Sequence, residues 1–280
     1  MNILTKKVQT RGTEHGYCNI CGEWKKLTWD HIPPKGSIKP TKVGLKSLSQ
    51  FHEKEKLASA IQRISQNGLK FRSICHYCNN TRLGKNFDPY LNDFSRNVAQ
   101  IIKLNKNIYL PSSFPVTLKP QRVARSVIGH LLAAEIRENM QSPLESVPMK
   151  DAMRDYFLNT PQDLPSELTL YFWPYWLNRR VLLRGVYIAD NADVSSTKEN
   201  CLVGDFLKYP PFCFFLAFNI SQKSHQKFAR FEILIRSHRL DQDGEALINM
   251  NTIPPNWPES PRKNEILFIN SDVCLIAEEI

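Results

Sequence analysis

Asp30 and His31 stand side by side in the stretch TWDHIPP, nine and ten residues after the second cysteine of a Cys18-x-x-Cys21 pair. A second pair, Cys75-x-x-Cys78, runs directly into Asn79 and Asn80. Each pair can place two thiolates on one side of a tight turn. Four thiolates at about 2.3 Å from Zn²⁺ make a closed, tetrahedral structural site. Gly22, directly after the first pair, suits such a turn. Four ordinary buried cysteines would have no reason to come as two Cys-x-x-Cys pairs. The 53 residues between the pairs exceed simple zinc-ribbon spacing, so the intervening chain must form an excursion of its own.

With the cysteines filling one metal site, the acidic–histidine pair is left for other chemistry. Phosphodiester hydrolysis needs a base near neutral pKa to take a proton from water. It also needs a hard cation to stabilise charge building on phosphate oxygens. Aspartate oxygen suits Mg²⁺, and histidine is the natural base. Mg²⁺ takes few protein ligands, so one further neutral oxygen is enough. The amide of Asn79, or of Asn80 one position along, can supply it. His76, between the cysteines, is either a spare ligand or a surface histidine. Arg82 and Lys85 follow on the same helix end, as phosphate contacts or as solvated cations. His15 and His52 have no partner visible in sequence.

The elements that must position these residues fall into two unlike halves. Residues 1–110 carry 19 Lys and Arg against 7 Asp and Glu, whereas residues 111–280 carry 18 against 20, so the whole excess behind the net charge of +10 lies with the paired cysteines. A compact basic segment attracts polyanions, nucleic acid first among them; the bland alternative is a solvated basic surface. The composition, 42% hydrophobic and 23% charged, is that of a globular chain. Its longest strongly apolar run, 212–218, is too short to span a bilayer. No signal-like apolar stretch opens the sequence, so the expectation is a cytoplasmic protein with no membrane partner. Seven cysteines in a reducing setting point to metal ligands or buried thiols, and Cys201, Cys213 and Cys274 are expected in the core.

Helical spacing is predicted over 87–105, with Asp88 as N-cap and Pro89 at the first helical position. A helix is also expected within 47–68, ending near Asn67-Gly68. With six lysines from Lys35 to Lys56 inclusive, that excursion is either a DNA-contacting element or a solvated helix. The Pro- and Ser-rich stretch 109–120 reads as a linker. Beyond it, 121–140 reads as an amphipathic helix, in which His130 is most simply a partly buried packing residue. A second helix is expected over 149–159. Strands are expected at 168–173, 180–189, 212–219, 228–237 and 265–270. The aromatic stretch 171–180 suits core packing or base stacking. The expected fold class is therefore α+β: residues 1–108 around the cysteines, a linker at 109–120, and an antiparallel-sheet-plus-helix domain at 121–280.

The combination Cys-x-x-Cys, Asp-His, Cys-x-x-Cys-Asn-Asn resembles the HNH, or ββα-metal, nucleases. It is most similar to the zinc-stapled subgroup typified by phage recombination endonuclease VII and related restriction nucleases. The match covers about residues 15–90. It implies a β-hairpin and helix gripping one divalent ion, Mg²⁺ or Mn²⁺. On that pattern His31 is the general base, and Asp30 and Asn79 are the metal ligands. Structural zinc sits on Cys18, Cys21, Cys75 and Cys78. Apart from the resemblance, Lys35, Arg82 and Lys85 are the candidate nucleic-acid contacts, solvated cations being the alternative. Two departures stand out. Many members carry an asparagine close before the second cysteine pair, and the nearest here is Asn67, eight residues upstream. Many also have a histidine where Asn79 stands. The expected function is a DNA endonuclease in restriction or antiphage defence, its C-terminal half serving recognition, sensing or oligomerisation. Cutting both strands would need a homodimer or a second encounter. The rival expectations are a zinc-stapled nucleic-acid-binding module without hydrolysis, an RNA substrate, and a subunit awaiting an activating protein or ligand.

Overall fold

The computed structural model describes residues 8–48, 61–104, 111–190, 201–250, 253–269 and 273–280. It is mixed α+β, with four α-helices and antiparallel sheets among the described residues. The chain opens with β1 (His15–Tyr17) and β2 (Trp24–His31), then β3 (Val43–Ser47), β4 (Arg63–Ser65) and β5 (Lys70–Cys75). Strands β1, β2 and β5 form one small sheet. In the β2–β5 pair Leu27 lies opposite Cys75 and His31 opposite Lys70, with an irregularity between Thr28 and Trp29.

From β5 the chain turns into π-helical turns over Tyr77–Phe87, which continue without a break into α1 (Asp88–Leu104). Asp88 is therefore not an N-cap as expected. Its N–H reaches back five residues to the Leu83 carbonyl. Pro89, which has no N–H to give, sits inside the helix where the wide turns tighten. The helix starts at the second cysteine pair, ten residues earlier than the apolar periodicity suggested.

The excursion between the cysteine pairs does not pack by itself. Strand β3 pairs with the last strand of the chain, β13 (Cys274–Glu279), Leu45 lying opposite Ala277. The helix expected over 47–68 is replaced at its described end by β4, and residues 49–60 lie outside the described residues. Part of the expected linker is strand β6 (Ser113–Leu118), which pairs with β11 (Gly244–Asn249).

The remaining elements are α2 (Pro120–Ala133), α3 (Pro148–Leu158), β7 (Leu168–Pro174), β8 (Arg179–Asp190), β9 (Leu202–Tyr209), β10 (Phe212–Phe218), α4 (Gln222–Phe228) and β12 (Glu265–Ile269). The large sheet runs β4-β3-β13-β8-β9-β10-β7. The long strand β8 bends between Leu183 and Val186, and its one edge is shared: β13 pairs before the bend and β12 after it. The strand expected at 228–237 does not form. Phe228 closes α4, Ala229–Phe231 is a 3₁₀ turn, and Glu232 makes a lone bridge to Tyr171. Phe228 and Phe231 are both buried and sit three apart, which is helical rather than strand spacing.

Two apolar clusters result. One is continuous from Cys18 and Ile20 through Leu83 and Phe94 to Val127, Leu131 and Leu170, so both sequence halves share a core. The other is aromatic, with Tyr171, Trp173, Tyr175, Phe206, Phe215 and Trp257. The 171–175 rings are thus core, and Trp176 is the one exposed ring of that stretch. Cys213 and Cys274 are buried as expected, whereas Cys201 is half-buried against the Tyr187 hydroxyl. No helix among the described residues is long and apolar enough to cross a membrane.

Helix α2 is the hub, touching β2, β5, the π-helical segment, α1, α3 and β9. It is not amphipathic in effect. Four of its five polar residues, Gln121, Arg125, Ser126 and His130, are buried, and Arg122 is half-buried. Buried polar groups need partners, and each of these residues has at least one, although Arg125 Nε makes no hydrogen bond. Arg125 donates to the carbonyls of Asn159, Thr160 and Gln162. The helix ends at Ala133, short of the expected 140. Its orphan carbonyls are taken by Arg184 from β8 (Leu131 O), Ser73 from β5 (Ala133 O) and Asn19 (Leu132 O).

Candidate metal centre and active-site cleft

The first cysteine pair is shaped by Gly22, which at φ +69° donates its N–H to the Cys18 carbonyl at 2.9 Å. The second is shaped by β5 entering the π-helical turns. The β2–β5 register brings the pairs together, and the four sulfurs lie within 4.8 Å of one another. Cys21 and Cys75 sulfurs are 3.9 Å apart. A tetrahedral ion with bonds of about 2.3 Å asks for sulfurs about 3.8 Å apart. The group could hold a metal ion and is compatible with structural zinc. Hydrogen bonding within the cluster pulls the Cys75 thiol down and Cys21 down to about 7, while it pushes Cys18 and Cys78 up. A cation binds the thiolate form, so its binding would displace the protons these thiols share. His76, exposed on the helix start, is not part of the group.

Beside the cluster, at the end of β2, is an open cleft of about 280 Å³. Its walls include Trp29, Asp30, His31, Lys35, Asn79, Asn80 and Asp88. The expected catalytic set, Asp30, His31 and Asn79, therefore meets in one place. Asn79 donates through Nδ2 to Thr28 Oγ1 at 3.0 Å and to the Trp29 carbonyl at 2.9 Å. A carbonyl only accepts, so the amide orientation is fixed by its partners. Oδ1 is left with no hydrogen bond among the described residues. Asn80 lines the same cleft but is exposed and has no such anchor among the described residues.

His31 is half-buried, and its Nε2 lies 3.0 Å from the Asn67 carbonyl. That oxygen can only accept, so Nε2 carries the hydrogen and the lone pair of the neutral ring is on Nδ1. Burial, then Lys35 and Lys70, push its pKa down to about 4. Asn67 comes from the excursion, in a turn set by Gly68 at φ +68°, whose N–H donates to the Thr41 carbonyl. Asn67-Gly68, expected to end a helix, instead forms a turn after β4.

Asp30 is 5% exposed. Burial raises its carboxyl, against the pull of His130. His130, expected as a partly buried packing residue, is fully buried between two carboxylates. Its Nδ1 lies 2.8 Å from Asp30 Oδ2, and its Nε2 lies 3.0 Å from Asp88 Oδ1. Burial opposes its charge, but the two carboxylates prevail and push it up to about 10.

Among the expected phosphate contacts, Lys35 lines the cleft. Arg82 does not; it points Nη1 at Cys78 Sγ, 3.9 Å away, and lies over the Tyr77 ring. Lys85 is exposed outside the cleft walls. Lys70, which sequence reasoning passed over, sits over the Trp29 ring at 5.2 Å and acts on His31. Asp88 and His130 were also missed, one read as a cap and the other as packing. No family model, no curated protein and no solved structure matches this chain.

Proposed function

We propose that this protein is a metal-dependent endonuclease of the HNH kind, hydrolysing phosphodiester bonds in DNA. The observation that carries the proposal is His31: a neutral imidazole, anchored through Nε2, beside a buried carboxylate and an anchored amide in one cleft. A general base needs a lone pair at working pH, and Nδ1 keeps one well below neutrality. A bound phosphodiester would offset Lys35 and Lys70 and so strengthen the base once substrate is in place. Water then gives its proton to His31 Nδ1 as its oxygen bonds to phosphorus, and the bond from phosphorus to the leaving oxygen breaks. Asp30 and Asn79 Oδ1 would hold Mg²⁺ or Mn²⁺; the donor set, one carboxylate and one amide oxygen in an open cleft, suits a hard cation that keeps other positions for substrate. Such an ion supplies stabilisation of the charge that builds on the phosphate oxygens. The zinc staple fixes the start of the helix that bears Asn79. DNA is the substrate favoured by the basic excess of residues 1–110, and a role in restriction or antiphage defence accords with a nuclease fused to a second, neutral half.

The test is incubation with supercoiled plasmid and Mn²⁺ or Mg²⁺, alongside a structured RNA. Nicked plasmid that EDTA prevents supports the proposal, and faster RNA cleavage moves the substrate to RNA. A protein that shifts DNA in a gel yet cuts with neither ion, alone or with cell extract, is instead a zinc-stapled binding module.

A further inference from the structure

Asp30 is the last residue but one of the hairpin strand β2, and Asp88 opens α1; a single side chain from α2 joins them. His130 uses both ring nitrogens on these carboxylates and has no exposed surface. Packing does not explain the arrangement. An apolar side chain of similar size would fill the same space without desolvating three ionisable groups. Ser126, one turn earlier on α2, donates to the same Asp88 Oδ1 at 2.7 Å. Asp88 Oδ2 has no hydrogen bond among the described residues, and the residue borders the cleft with Asp30 and Asn79. Carboxylates that serve a metal are themselves held by hydrogen bonds from behind.

We infer that His130 is a positioning residue for the divalent ion of the nuclease site proposed above, on which this inference rests: it fixes Asp30 and brings Asp88 in as a second carboxylate. Binding of the ion then depends on α2, a helix from the other half of the sequence. Because Ser126 and His130 both occupy Asp88 Oδ1, the oxygen left for the cleft is Oδ2. An isosteric change to amide at this position removes its charge with little change of shape.

The test reads Mn²⁺ binding by electron paramagnetic resonance. It uses the full chain carrying His31→Ala, so that DNA is not consumed, with and without a short duplex. The His31→Ala protein is expected to bind one Mn²⁺ beyond its zinc. Adding Asp88→Asn or His130→Gln should weaken that binding 10- to 100-fold at unchanged zinc content. Unchanged Mn²⁺ affinity in Asp88→Asn and His130→Gln, even with a lower melting temperature, overturns the inference and leaves the nuclease proposal standing. No Mn²⁺ binding by His31→Ala itself, with or without duplex, overturns the metal-dependent site and this inference with it. Asp88→Asn carries the test should His130→Gln fail to retain zinc.

Discussion

The cysteine cluster and the cleft beside it lie on the same hairpin and helix, yet they are built on opposite plans. The cluster draws four thiols, groups of one type, from a turn and a strand–helix junction and closes on itself, three of the four residues buried. The cleft draws unlike groups from β2, the excursion, the π-helical segment and α1, with His130 of α2 behind them, and stays open. A closed set of equal ligands makes a staple. An open set of unlike groups, each held from behind by something else, can bind a substrate and act on it. The first plan is local; the second needs the whole fold.

The largest effect expected from breaking the comparison is at the staple. Cys78→Ser, or a strong zinc chelator, should unfold the cysteine-bearing half, since structural zinc contributes on the order of 10 kcal/mol to small metal-held folds. Zinc content and a thermal melt followed together check this; a folded, zinc-free protein would refute the structural role. Next, Asn79→Ala should lower both plasmid nicking and stability, by about 1–3 kcal/mol for the carbonyl and hydroxyl left without a donor. Asn80→Ala should change neither by as much, and the reverse ranking would move the amide ligand one residue along. Smaller again, Lys35→Ala and Lys70→Ala should each weaken DNA binding at all sequences and reduce the salt slope by about 1. Arg82→Ala, turned to the cysteines, should leave the slope unchanged. Binding isotherms over a salt series decide between them.

The smallest effect concerns the brace between the two regions. Glu135 lies just beyond α2; its carbonyl accepts from the Asn19 amide beside Cys18, and its carboxylate accepts from Lys150. Burial pushes that carboxyl up, but Arg184, Lys150 and Arg137 together hold it below its ordinary value. The unfolded chain therefore takes up the proton first as pH falls. Stability from this group is present above about pH 4.3 and is lost as pH drops through and below that value. Melting temperatures from pH 7 to 3 should fall less steeply for Glu135→Gln than for wild type.

How much was legible follows from the same contrast. Thiols in Cys-x-x-Cys pairs announce their chemistry by type and spacing, so the staple could be read directly. Asp30, His31 and Asn79 could be read because the cysteines fix their neighbourhood. Asp88 and His130 could not, because a buried carboxylate and a buried imidazole look in sequence like a helix cap and a packing residue; only tertiary contact shows what they do. Strand β9 was missed for a related reason. Asp205 and Lys208 interrupt its apolar run, yet both are buried, the first paired with Arg184 and the second with Glu259. The β3–β13 pairing joins residues more than 200 positions apart, and no local pattern encodes it.

The most direct test of the central claim is plasmid nicking by wild type and His31→Ala at equal measured zinc content. His31→Ala is predicted to keep its zinc and its melting temperature while nicking falls by at least about 100-fold, the usual loss for a removed general base. Equal nicking by the two proteins would contradict the assignment of His31 as the base.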